Sequence, residues 1–196
     1  MGLNFVSTGG GSPFIRFSVE NNEWLMSSAA GDLEPIDWNS PVVVDVENVQ
    51  QGWLKLEGGR DWIEWPDNQP TEKPNDMYRQ GFVLKFYSSK LFDDEPVREF
   101  SASGAGVTEF LKKLYAESES SGNFGSGKVP AIKVLKATPV RIGKGPSKIP
   151  QFEIVKWVDR PDELGGEAGE KAVSAPTAAT ASKSNASSDD DFSDEI

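Results

Sequence analysis

Residues 129–158, VPAIKVLKATPVRIGKGPSKIPQFEIVKWV, constrain the fold more than any other stretch of the chain. Apolar and β-branched residues gather at its two ends and glycine, proline and lysine in its middle, so the pattern predicts two β-strands joined by a loop. Between Lys128 and Arg160 there are eight basic residues and only two acidic ones, Glu153 and Asp159, in a chain whose net charge is −11. A positive strip on an acidic protein predicts a polyanion site, because cations that neutralise phosphates release condensed counterions. Lysines that merely keep a hairpin soluble would leave the same signature.

At 196 residues the chain has room for one ordinary domain and a tail. It contains neither cysteine nor histidine. Disulfides, thiolate or imidazole zinc sites, Cys/His nucleophile pairs and Ser-His-Asp triads are therefore excluded. No paired-acid motif stands out, so the expectation is a non-enzymatic protein with no cofactor and no metal. Residues 1–14, MGLNFVSTGGGSPF, lack a positive n-region and an apolar core. No stretch approaches the ~18 apolar residues of a membrane span. A soluble, cytoplasmic protein with no membrane partner is expected. Gly2 invites a myristoylation match, but Val6 stands where that motif needs serine or threonine.

Taken in order, residues 1–13 form a glycine-rich arm, and 14–28 read as a hairpin turning at Asn21 and Asn22, residues that tolerate left-handed backbone. Residues 29–41 read as loop. Val42, Val44 and Val46 alternate with Val43, Asp45 and Glu47, which places the even positions on a buried face. After Gly52 the alternation sets Leu54 and Leu56 inward and Trp53, Lys55 and Glu57 outward. A loop holding Trp62, Trp65 and three prolines follows. In the next strand Phe82, Leu84 and Phe86 share one face, and Arg79, Lys85 and Tyr87 the other. A turn near Asp93 and Asp94 leads to a short strand, VREFSAS. Val107, Phe110, Leu111, Leu114 and Tyr115 then fall at helical spacing, predicting a helix over 107–119. In the last strand Phe152, Ile154 and Val158 share a parity opposite Val155 and Trp157, which leaves Lys156 on the inward side, an awkward place for a cation.

From Pro161 the composition changes. Residues 161–188 read as a linker of alanine, serine, glycine and threonine, and 161–196 carry nine acidic against two basic side chains. The chain closes on Asp189, Asp190, Asp191, Phe192, Ser193, Asp194, Glu195 and Ile196.

A helix between the third and fourth main strands suits an OB-fold, a five-stranded, partly open barrel. The strands would be 41–49, 52–57, 78–89, 129–140 and 151–158, with 14–28 added and 14–160 forming the domain. A β-sandwich with one helix fits the same strands. Loop 141–149 would join strands four and five, a loop that OB-folds use to hold oligonucleotides. The candidate binding set is Trp53, Lys55, Arg79, Lys85, Tyr87, Lys133, Lys136, Arg141, Lys144, Lys148, Lys156 and Trp157: aromatic faces on which bases stack, and cations that track the backbone. Against it stands the use of tryptophan as core filling. Gly122 to Lys128 satisfy the P-loop spacing, but Val129 replaces the magnesium-binding hydroxyl and a strand follows instead of a helix, so nucleotide hydrolysis is not expected.

Acids interleaved with Phe192 and Ile196 suit a small apolar pocket with a basic rim on a partner, and can compete with DNA for the basic strip. A β-rich body, a low-complexity linker and an acidic end with apolar residues resemble the single-stranded-DNA-binding proteins of bacteria and their phages. Asp189, Asp190 and Asp191 match the aspartate run of those proteins, while Phe192 lies inside the acids and Ile196 takes the last place. The resemblance implies a body that protects single-stranded DNA in replication, recombination or repair. It also implies a tail, 189–196, that recruits replication and recombination proteins, and it is compatible with a homo-oligomer and with a phage-encoded chain in a host cytoplasm. The competing expectation is a structural or adaptor β-protein whose tail docks a partner and whose hairpin has no nucleic-acid role.

Overall fold

The structure is a computed structural model, and it describes residues 12–28, 31–92, 95–142 and 145–165. In chain order the strands are β1 (Phe14–Ser18), β2 (Glu23–Ser27), β3 (Leu33–Pro35), β4 (Val42–Val44), β5 (Gln50–Lys55), β6 (Asp61–Glu64), β7 (Arg79–Tyr87) and β8 (Val97–Ser103). The helix α1 (Ala105–Ser120) follows, then β9 (Lys128–Ile142) and β10 (Gly145–Asp159). The protein is mainly β: all ten strands join one curled, open sheet in the order β10-β9-β4-β7-β8-β1-β2-β3, with β5 beside β7 and β6 beside β5. Among the described residues no helix is long and apolar enough to cross a membrane.

The strand alternation read from the sequence holds in the centre of the sheet. Phe82, Leu84 and Phe86 of β7 are sealed, as are Val42, Val44 and Val46. With Phe100 of β8 they form a core that α1 closes with Val107, Phe110 and Leu114. Trp24 sits in the middle of this core, its ring centroid 4.8 Å from Phe100, 5.3 Å from Phe17, 5.7 Å from Trp38 and 6.1 Å from both Phe86 and Phe110. The β1–β2 hairpin turns at the predicted place, with Asn22 left-handed at φ 59°.

Several expectations are corrected. Residues 29–41 and the tryptophan loop are not wholly irregular, because β3 pairs with β2 and β6 with β5. Leu56 is 58% exposed, not inward. β5 ends at Lys55 and the chain turns away through Gly58 and Gly59, both at positive φ, before any layer covers Leu56. The strand Val97–Ser103 is a full partner of β7 rather than a minor piece.

The largest correction concerns 141–149, which is mostly strand. β9 runs to Ile142 and β10 starts at Gly145, with Ile142 opposite Gly145 and Val140 opposite Ser147. Gly145 and Pro146, which suggested a loop, stand opposite Ile142 and Arg141 in a long ribbon with two register shifts. Prolines at 146 and 150 also remove backbone donors from β10, a strand at the edge of the sheet, which blunts that edge against further pairing. The ribbon folds back over the start of α1. There a Cβ on Gly106 would lie 2.2 Å from the Lys148 carbonyl oxygen, so this approach requires glycine.

Candidate nucleic-acid interface

The second register shift settles where Lys156 points. Ile154 pairs with Ile132 and Lys156 with Ala131, so Val155 is an extra residue in a β-bulge. The bulge moves Lys156 to the outer face, in a row across the sheet with Ala131, Val43, Tyr87 and Val97. Lys133 and Lys85 lie on the same face by alternation. Trp157 pairs with Pro130 and is turned to the opposite face from Lys156, so the two are not neighbours on one surface.

The outer face over β7 is partly occupied by the chain itself. A short 3-10 turn, Asp162–Leu164, packs there with Leu164 1% exposed, and Tyr87 Oη donates to Glu163 Oε1 at 3.4 Å. Lys85 pairs across the sheet with Glu99 and opens into a pocket that Glu47, Glu64 and Asp67 also line. These acids make the surroundings of Lys85 a poor place for phosphate.

Arg160 belongs to the same arrangement. Its guanidinium lies 2.7 Å from Asp45 Oδ1 and 3.1 Å from Glu47 Oε2, all three side chains being largely buried. Glu47 also accepts from the Gly125 amide at 2.5 Å, and the Arg160 amide donates to the Gly127 carbonyl at 3.0 Å. One cation from the basic strip is therefore spent on tying the end of β10 to the β4–β5 connection and the loop before β9.

Trp53 and Lys55 belong to a separate cluster. The Trp53 ring meets Trp65 edge-on at 5.3 Å, and its indole N–H reaches the Thr71 carbonyl and hydroxyl, both at 3.2 Å. Lys55 lies 3.9 Å from Asp61 and over the Tyr78 ring. These side chains anchor the 61–78 connection rather than offering a free stacking face. Asp61 accepts a short hydrogen bond from Tyr78 Oη, and this bond, with burial and the carboxylate charge, raises the tyrosine pKa. A raised pKa stabilises the fold below the ordinary tyrosine value, and that contribution is lost as pH rises through the folded-state value. Stability measured by denaturant is thus expected to fall more steeply above pH ~10 in the native chain than in Tyr78→Phe; parallel curves would refute the coupling.

Of the remaining candidates, Arg79, Lys133, Lys136 and Arg141 are exposed, and Lys148 donates to the Glu20 carbonyl at 3.0 Å. Lys144 and the tail residues Asp189, Asp190, Asp191, Phe192, Asp194, Glu195 and Ile196 lie outside the described residues, as do the arm 1–11 and residues 166–188 of the linker. The structure brings Lys133, Lys156, Lys85 and Tyr87 to one face and separates them from Trp53, Lys55 and Trp157.

A different concavity escaped the sequence reading. β1, β8, the start of α1 and the β5–β6 turn enclose an open groove of about 690 Å³, with Phe14, Arg16, Leu56 and Arg60 on its walls. A signal for part of it was present: with Ile15 buried in strand FIRFS, alternation turns Phe14 and Arg16 outward. Nothing local in the sequence places Leu56 and Arg60 opposite them.

Comparison with protein-family models, with curated proteins and with solved structures returns no match for this chain.

Proposed function

We propose that the chain binds single-stranded DNA without sequence preference, serving replication, recombination or repair as a non-enzymatic protein whose acidic tail recruits partners. The observation that carries this reading is the long β9–β10 ribbon. It holds Lys128, Lys133, Lys136, Arg141 and Lys156 in the open, against exposed Glu153 and Asp159, on a chain of net charge −11. A chain this acidic gains nothing in solubility from gathering its cations in one place, whereas a phosphate backbone rewards it.

An OB-like barrel is the finer reading of the fold. Its support is the strand order, with β4 and β5 taken as one interrupted first strand, β7 and β8 as second and third, and β9 and β10 as fourth and fifth. α1 then falls between the third and fourth strands, as that fold requires. This count differs from the one made on the sequence, which treated 41–49 and 52–57 as separate strands and omitted Val97–Ser103.

The test is anisotropy of a labelled oligo-dT with the full chain over a range of salt. With about four to six phosphate contacts the log-log slope should be roughly −3 to −4. Reversing charge at Lys133, Lys136 and Arg141 together should weaken binding at least tenfold and flatten the slope by about 2. No binding by the native chain, or affinity indifferent to salt, overturns the reading. Undiminished binding by the triple variant would move the DNA site off the ribbon, and no binding by the native chain would favour the adaptor alternative. That alternative draws its own support from the acidic 162–164 turn lying over Tyr87.

A further inference from the structure

We propose that the groove between β1, β8 and the start of α1 is the seat of the single strand: a base lies on the Phe14 ring while Arg16 and Arg60 hold the flanking phosphates. This rests on the single-stranded-DNA reading above and adds a site to it, whose ring and arginines lie outside the basic ribbon.

Four segments far apart in sequence converge there: the first hairpin, the β5–β6 turn, β8 with the start of α1, and Ser147 of β10. Phe14 and Val19, each 40% exposed, come from the first hairpin, and Leu56, 58% exposed, comes from the β5–β6 turn. These are among the largest apolar side chains the fold leaves in water, and they line one cavity. A volume of about 690 Å³ falls within the range of clefts that bind small ligands.

The charge in the groove is complementary to phosphate. Arg16 is exposed and makes no ion pair among the described residues. Arg60 is 3.3 Å from Glu99, with nearly half of its side chain in solvent. A strand phosphate competes with Glu99 for that guanidinium, and a planar fork suits a phosphate better than an ammonium would. Hydroxyls of Ser101, Ser103 and Ser147 complete the wall and can exchange donors and acceptors with a base edge.

This combination favours a flexible polyanion that carries flat rings. An acidic peptide would use the two arginines, but only one with an aromatic, such as Phe192 of 189–196, could also meet Phe14, and the test below separates it from a single strand. A duplex keeps its bases stacked on each other, so only a single strand can lay one on the ring. The ribbon reaches the groove at Ser147, which pairs with Val140 of β9 and lines the groove wall.

The experiment measures labelled oligo-dT binding by the full chain and by a Phe14→Ala/Arg16→Ala double variant, with Phe14→Trp alongside. The double variant should bind at least tenfold more weakly, and Phe14→Trp should keep its affinity and gain a fluorescence component quenched by the oligonucleotide. Circular dichroism checks the fold, and if the double variant fails to fold, Arg16→Glu at its exposed position is read alone with the same expectation. Native affinity in these variants, while the Lys133/Lys136/Arg141 reversal weakens binding, overturns the groove but leaves the DNA reading standing. Failure of the native chain to bind any single strand removes both. A labelled peptide of residues 189–196 that binds the native chain and not the double variant, with oligonucleotide binding unchanged, overturns the proposal in favour of an acidic peptide.

Discussion

Replacing Trp24 by alanine is expected to cost about 3–5 kcal/mol, the usual loss for removing a large aromatic from a core. Trp24 is 5% exposed, and five aromatic rings converge on it from β1, β7, β8, α1 and the segment after β3. Those rings come from five separate segments of the chain. Collapse around an alanine would need all of them to move together, so most of the cavity should persist. Because domains of this size are stable by only about 5–15 kcal/mol, the variant should sit close to its unfolding midpoint under mild denaturant. Trp24→Phe, which keeps one ring in the cluster, should lose markedly less. The check is urea unfolding followed by far-ultraviolet circular dichroism, a signal that does not depend on the tryptophan removed. A loss below about 1 kcal/mol would mean that the aromatic cluster is not the centre of the core.

The second large effect is expected at Arg160. Removing one partner of a buried ion pair leaves the other charge stranded, and costs about 3–5 kcal/mol. Arg160→Ala strands two carboxylates, Asp45 and Glu47, and Asp45 is 1% exposed. Asn48 Nδ2, 3.0 Å from Asp45 Oδ2, and the Gly125 amide on Glu47 offset part of this, but neither carries charge. At about 2–4 °C per kcal/mol for a chain of this length, the melting temperature should drop by roughly 10 °C. The double variant Asp45→Ala/Arg160→Ala should lose less than the sum of its singles, because it removes the desolvated charge together with its partner. Additive losses would show that the contact is only a surface pair. Loosening Arg160 should also free the adjacent 162–164 turn from β7, which faster amide exchange at Tyr87 would report.

These two residues illustrate how unevenly the sequence discloses the molecule. Alternation in VVVDV and GFVLKFY identified the buried faces of β4 and β7, since a period of two has one physical meaning in a strand that is half covered. The i, i+3, i+4, i+7 spacing of Val107, Phe110, Leu111 and Leu114 located α1 within two residues of its ends. Arg160, counted by its charge with the basic strip, is an internal clamp, and a local pattern does not distinguish a free cation from a clamp. The candidate interface divided in the same way. Lys133, Lys136 and Arg141 are exposed on the ribbon, whereas Trp53 is held by Trp65 and Thr71, and Lys55 by Asp61.

Composition and periodicity by themselves determined a chain without thiol or imidazole chemistry, mainly β, with one amphipathic helix and an acidic end set against a basic hairpin. These are properties of single residues and their near neighbours, and they survive any arrangement of the elements. Tertiary structure alone decided the rest. One extra residue at Val155 inverted the parity of Lys156 and Trp157, the 162–164 turn covered Tyr87, and two distant segments brought Phe14, Arg16, Leu56 and Arg60 around one groove. The reason is that strand register, bulges and covering layers are fixed by contacts between residues tens of positions apart, whose pairing a linear pattern does not encode.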